Sequence, residues 1–345
     1  MELPTLNSPT QGAFRFNTDS RELEIYDGNH WASVQATSPY LETGGVRALS
    51  CLGSEDASRT NSIEYVNMSS TGNAADFGDS TERLRAGPFA LSSRTRACMG
   101  GGQNPGYSDT ITYATIAQTG GAVDFGNLIS SGREFTGSSN QTRGIIWGQA
   151  APSTNIIQYI TIAQTGNAVD FGDIGIGGLA TANGSGYGNQ TRSIFAGGYT
   201  PTAVATIQYV EYASTGNSAA FGDILPYTGG GIYAVCGCSN SVRGFMMGGT
   251  HLSAPSAGTL INTIGFTAIS TLGDQQDFGD LDTARSMCYG AASATRALCM
   301  GGATPTNTNY IQYVEIATQG NAMDFGDLAT NRKGGDGCSN GHGGL

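Results

Sequence analysis

The tetrad Asp-Phe-Gly-Asp occurs at residues 76–79, 170–173, 277–280 and 324–327 of the 345-residue chain, with variants DFGN at 124–127 and AFGD at 220–223. Its phenylalanines, Phe77, Phe125, Phe171, Phe221, Phe278 and Phe325, are spaced by 48, 46, 50, 57 and 47 residues. Twelve residues before each stands a second aromatic: Tyr65, Tyr113, Tyr159, Tyr209, Phe266 and Tyr313. Two residues earlier again comes an isoleucine in every copy, from Ile63 to Ile311. Further upstream lies an arginine, Arg47, Arg96, Arg143, Arg192, Arg243 or Arg296, and in most copies its segment runs into glycines such as Gly100-Gly101 or Gly301-Gly302. Six copies in one phase mean a repeat architecture, in which each unit buries its apolar face against a neighbour.

Distances within a unit separate its rigid part from its variable part. The aromatic-to-phenylalanine offset never changes, so these two segments and the Thr-Gly-Asn turn between them predict a fixed hairpin. The arginine-to-aromatic offset varies from 16 to 23, and the slack falls after the glycine doublets, which places variable loops on one face. In the unit of Arg296 the strands read RALCMGG (296–302), YIQYVEIAT (310–318) and AMDFGDL (322–328), with a fourth after the next Gly-rich turn. Four short strands in ~45–50 residues is the size of a propeller blade. The expected fold is all-β, a six-bladed propeller over residues 41–345 preceded by an N-terminal hairpin arm over residues 1–40. The tail "GCSNGHGGL" (337–345) repeats the start of "GCSNSVRGFMMGG" (237–249), so residues 334–341 are expected to pair with the strand starting at Arg47 and close the ring.

Composition restricts the chemistry. The chain has 53 glycines, 12% charged residues, a net charge of −11 and one lysine, Lys333. No basic face for nucleic acid, no apolar stretch long enough to span a membrane, and no signal-like start is seen. The seven cysteines are odd in number and irregularly spaced, which reads as reduced and structural, and no cofactor is implied. His30, His251 and His342 fall at no repeated position, so a hydrolytic triad is not expected. The recurrent carboxylates Asp76, Asp124, Asp170, Asp277 and Asp324 are expected to accept backbone N–H groups at a tight Phe-Gly turn. The six arginines are expected to pair with those carboxylates in their own or the next unit. The protein is therefore not expected to be an enzyme. Because a glycosidase needs only two carboxylates, a polysaccharide-degrading propeller stands as a third reading.

The pattern "TRALCMGG…YIQYVEIATQGNAMDFGD" resembles the kelch repeat, with Tyr313 at the place of its tyrosine and Phe325 at that of its tryptophan, although the gap between the two is longer here. The tandem "IEYV…TGNAxDFGDL" and "CSNSxRGxxxGG" units are similar to propeller-type virion proteins of tailed phages. The segment "GAFRFNTDSRELEIYDGNHWASV" (12–34), with its turn at Thr18-Asp19-Ser20, is similar to short hairpins of phage tail and fibre proteins. It offers Phe14, Phe16, Tyr26 and Trp31 as attachment residues. These resemblances imply a virion structural protein, multicopy or homo-oligomeric, assembled in the host cytoplasm and joined to other virion proteins through the arm. They favour a tail- or fibre-associated module contacting host glycan or protein, with a capsid-decorating protein as the alternative.

Overall fold

The computed structural model describes residues 9–17, 22–33, 46–55, 58–175, 183–199, 201–225, 230–253 and 258–345. Among them there is no helix, and every ladder is antiparallel. The chain divides into two compact units, Met1–Glu42 and Thr43–Leu345.

The second unit repeats one four-strand path. Thr136–Ser139 pairs with Arg143–Trp147, that strand with Ile156–Thr161, and that in turn with Val169–Asp173. Sheets with the same path are built around Arg96, Arg192, Arg243 and Arg296. The chain therefore passes from each DFGD-type strand to the first strand of the next sheet, directly in most repeats and through an extra strand, Gly230–Tyr233, before Cys236–Ser239. For the Arg47 sheet, the first strand comes from the far end of the chain. Asp336–Ser339 pairs with Arg47–Cys51, Cys338 opposite Leu49. Asn340 Oδ1 accepts the N–H of Arg47 at 2.8 Å, as Asn140 Oδ1 accepts that of Arg143 within one continuous turn.

Burial follows from this stacking. The arginine strands, such as Arg143–Trp147, are buried from the second residue onward. A strand covered on both faces reads as a continuous apolar or small run, here Gly-Ile-Ile-Trp. Ile145, Trp147, Ile157 and Phe171 of one sheet form a single apolar cluster with Phe195, Val210 and Tyr212 of the next, and the Trp147 and Phe195 rings stack at 5.7 Å.

The first strands of the sheets are neighbours in turn. Phe89–Ser92 lies beside Thr136–Ser139, then follow Ser185–Gly188, Cys236–Ser239, Tyr289–Ala292 and Asp336–Ser339, and the last of these lies beside Phe89–Ser92. They approach so closely that five of the six carry glycine at their second position, Ala90 of Phe89–Ser92 being the exception. A Cβ on Gly290 would stand 2.2 Å from the Gly237 carbonyl oxygen, and one on Gly337 2.4 Å from that of Gly290. Serine hydroxyls bridge these strands where no ladder is formed: Ser139 Oγ donates to Ser92 O at 2.7 Å, and Ser92 Oγ to Ser339 O at 2.8 Å. The arrangement is that of an all-β, propeller-like repeat protein.

An ion pair also joins the last repeat to the first. Arg332, fully buried, lies 2.9 Å from both Glu64 and Glu55. Lys333 pairs in the ladder with Ser54, at the base of a small hairpin formed by Ser54–Glu55 and Ser58–Arg59. Removing residues 336–345 takes away the partner of Arg47–Cys51 and the Asn340 cap together. Thermal melting of that truncated chain is expected to fall by roughly 10 °C or more, given about 2–4 °C per kcal/mol for a large domain. A midpoint within a few degrees of the full chain would show that this strand carries little of the stability.

Candidate functional site

The recurrent residues tie neighbouring sheets to one another. Each arginine guanidinium lies over the aromatic ring of its own sheet: Arg47 over Tyr65, Arg96 over Tyr113, Arg143 over Tyr159, Arg192 over Tyr209, Arg243 over Phe266 and Arg296 over Tyr313, at 4.6–5.0 Å. The same group donates to a backbone carbonyl of the next sheet. Arg96 reaches Ile162 O and Arg192 reaches Ile269 O, each at 3.0 Å. Arg47, Arg143 and Arg243 likewise reach the carbonyls of Ile116, Tyr212 and Ile316. From the last repeat, Arg296 reaches Met68 O of the first at 3.0 Å. The aromatic beneath each arginine meets its phenylalanine edge-on, as Tyr65 meets Phe77 at 5.8 Å and Phe266 meets Phe278 at 5.7 Å.

Pairing between these arginines and the DFGD carboxylates is therefore corrected. The tetrad lies on the outermost strand, two strands from the arginine, and Asp76, Asp124, Asp170, Asp277 and Asp324 are exposed there. Among the described residues the one carboxylate on this set of arginines is Glu315, at 3.0 Å from Arg296 and directly opposite it in the ladder. The Phe-Gly segment is also not a tight turn but a bulge, where the register slips between Ile157 and Gln158. Asp76 and Asp170 do accept a backbone N–H, from Gly78 at 3.2 Å and Gly172 at 3.0 Å.

What the tetrad supplies between sheets is backbone. The Phe171 carbonyl accepts the N–H of Gly216, and the N–H of Asp173 donates to Asn217 Oδ1. The Phe325 carbonyl accepts the N–H of Gly72, and the N–H of Asp327 donates to Asn73 Oδ1. The tetrad glycine is needed because the partner loop sits against it: at Gly172, φ +149°, a Cβ would lie 2.3 Å from Gly216 O. The Thr-Gly-Asn segment is thus less a hairpin turn than a reach to the outer strand of the preceding sheet.

In the first unit, Phe14–Asn17, Glu22–Tyr26 and Trp31–Ser33 form a three-stranded sheet. Phe14 and Phe16, 63% and 62% exposed, stand on one face opposite Ile25 and Leu23. Tyr26 and Trp31 pair on the other, 5.4 Å apart, where Arg15 lies over Trp31 and bonds Glu24 at 2.7 Å. The four proposed attachment residues therefore divide between two faces. The turn at Thr18-Asp19-Ser20 lies outside the described residues.

The first strands of the sheets line a small cavity together with His342. There the tail is held by three bonds: His342 Nε2–H donates to Ser92 O at 2.8 Å, His342 Nδ1 accepts the Gly344 N–H at 3.1 Å, and the Gly343 N–H donates to Ser239 O at 2.8 Å. These bonds fix the neutral tautomer of His342. A second cavity, of about 320 Å³, is lined by residues that lead into these strands. Around it Ala86, Glu134, Asn183, Ala234, Met287 and Gly334 all adopt left-handed backbone, with φ from 55° to 69°. The N–H of Glu134 donates to Ala86 O, that of Asn183 to Glu134 O, and so on through Ala234, Met287 and Gly334, while the Gly87 N–H donates to Gly334 O. This rim was not legible, because Ala, Glu and Met are not residues that announce φ > 0.

All seven cysteines are buried thiols, and Cys236 Sγ meets Cys299 Sγ at 3.6 Å. Among the described residues no group of three His, Cys, Asp or Glu side chains is placed to hold a metal ion. The fold and these ties define the class, an all-β propeller-like repeat protein. The chain matches no protein-family model, and no curated protein matches it.

Two groups lining these cavities titrate in opposite senses. Asp336 keeps some surface open to the larger cavity, yet the dense protein around it pushes its carboxyl up from 3.8 to about 7, partly offset by the N–H groups of Ala90 and Gly337. Burial pushes His342 down from 6.5 to about 4, against the pull of its bond to Ser92. Between pH 4 and 7 folded Asp336 holds a proton that the unfolded chain has released, so its contribution to stability falls as pH rises. Between 6.5 and 4 folded His342 refuses a proton that the unfolded chain takes up, so its contribution falls as pH drops. The two largely cancel in the wild type. Relative to it, Asp336→Asn is expected to lose melting temperature on acidification from pH 6.5 to 4, and His342→Gln to gain it. Parallel melting curves for all three proteins would overturn this assignment.

Proposed function

We propose that the repeated sheets are six blades of a closed, kelch-like propeller, and that the protein is a structural module exposed on the surface of a tailed-phage particle and held there through residues 1–40. Closure is supported by the neighbour relation of the first strands, which returns to its start, and by Arg296 reaching Met68 as every other arginine reaches its next sheet. The virion reading rests on the resemblance of the tandem units and the N-terminal segment to phage proteins. The observation that carries attachment is the small sheet of the first unit, whose Phe14, Phe16 and Leu23 are exposed together on one face. Large apolar side chains exposed side by side mark a surface that another protein covers, and another virion protein would supply that cover. A tail or fibre position contacting host glycan or protein is favoured by the similarity of residues 12–34 to tail hairpins. Decoration of the head is the second reading.

Deleting residues 1–40 is expected to leave a folded propeller that no longer joins particles, as seen by melting and by incorporation into virions. Normal incorporation of the truncated chain would overturn the attachment role. Labelled copies seen at the tail by electron microscopy would support the favoured placement, and labels distributed over the head would replace it with the second. Release of reducing ends from host polysaccharide by the purified chain would revive the enzyme reading.

A further inference from the structure

The basic residues that are neither inter-sheet ties nor fully buried are gathered largely in one place, although one of them, Arg133, is paired with Glu134 at 3.5 Å. Of the 16 basic residues, six are the inter-sheet arginines, Arg285 and Arg332 are fully buried, and Arg15 is engaged with Trp31 and Glu24. Arg94 also has a partner, and Arg21 lies outside the described residues. The remaining five, Arg59, Arg83, Arg85, Arg133 and Lys333, all line two adjoining cavities that share Arg85. The chain's net charge is −11, so this tract stands against the overall field of the molecule.

One of these cavities, about 410 Å³ and open to solvent, is lined by Ser58, Arg59, Arg83, Arg85 and Asn104. Three of its five lining residues are arginines and none is acidic. Arg59 is held in place by its Nη1, which donates to Asn104 Oδ1 at 3.0 Å, while its Nε is buried without a hydrogen-bond partner. Arg85 is anchored by its backbone, which bonds Gln103 in both directions. Like charges brought together at fixed positions repel unless a counter-charge sits between them. Guanidinium forks match the oxygens of tetrahedral oxyanions. The lining has hydroxyl and amide groups for sugar hydroxyls, but no aromatic ring on which a nucleobase could stack.

We propose that Arg59, Arg83 and Arg85, with Ser58 and Asn104, form a binding site for a phosphate or sulfate ester group carried on a polysaccharide. The neighbouring cavity is mixed in charge, holding Glu134 at 3.5 Å from Arg133 and Asp336 in the same lining as Lys333 and Arg133, and it lies outside the site. This assignment does not depend on where the protein sits in a particle.

The test uses the full chain, with inorganic phosphate, inorganic sulfate, dextran sulfate, unsubstituted dextran and a single-stranded oligonucleotide as probes, at matched ionic strength and followed by calorimetry. Dextran sulfate is expected to bind, unsubstituted dextran not to bind, and phosphate and sulfate to compete. The solvent-exposed change Arg83→Gln is expected to weaken binding by about tenfold, the loss of one charge-assisted contact. Arg59→Gln combined with it should abolish binding while the melting temperature of Arg83→Gln stays that of the wild type. Arg192→Gln, at an inter-sheet arginine, should leave binding unchanged in whatever fraction folds. Binding no tighter than to chloride, or equal affinity in Arg83→Gln, would overturn the site. Tighter binding of the oligonucleotide than of dextran sulfate would overturn the polysaccharide assignment. If phosphate competes and sulfate does not, the ester is assigned as phosphate, and the reverse result assigns it as sulfate.

Discussion

Sheets that pack face to face share no ladder hydrogen bonds, so whatever joins them must reach across by side chain or loop. In this protein one guanidinium per sheet does so. It lies over an aromatic ring of its own sheet, which shields it from solvent, and donates to a carbonyl of the next sheet. A lysine could lie over the ring, but it lacks the planar fork that holds the ring contact and the carbonyl bond together. This explains why a chain so poor in charge keeps an arginine at each of these places and has a single lysine elsewhere. A second tie runs from the Thr-Gly-Asn loops to the outer strand of the preceding sheet. Both ties meet in one short connection, where Met68 accepts from the arginine and Gly72 and Asn73 hold the outer strand.

The phase of the repeat was legible because its most rigid distance lies within a single ladder. Tyr65 and Phe77 are on adjacent strands with their rings in contact, and the twelve-residue offset is the path between them. The partner of each arginine was not legible. Its acceptor is a main-chain carbonyl, and the residues that provide it, Ile116, Ile162, Tyr212, Ile269, Ile316 and Met68, share no side-chain chemistry by which a sequence could reveal it. A carboxylate recurring at the same period was the visible candidate, and it lies on the wrong strand. Arg285 and Arg332 were passed over for a related reason. They sit at corresponding places in two repeats, where another repeat has Gly132 in the space taken by Gln149.

The repeats also show how one requirement is met by different residues. Buried Gln158 accepts the N–H of Ile129 at 2.8 Å, and Glu64 accepts that of Ala329 at 2.8 Å in the same role. Where the strand carries Gly265 instead, Gln275 fills the vacated space and accepts the N–H of Leu225 at 3.0 Å. The buried N–H must find an acceptor, and the sequence is free to provide it from either strand. Glu64 differs in being charged, and Arg332 with its ion pair is the compensation in that repeat.

One sheet is assembled from the two ends of the chain, with Asp336–Ser339 alongside Arg47–Cys51. During synthesis the first arginine strand is made early and its edge stays uncovered until residues 336–339 have followed. Contacts of such long sequence separation form late and slowly. A chain interrupted before residue 336 keeps that open edge, which exposes it to any chaperone or protease that recognises unpaired strands.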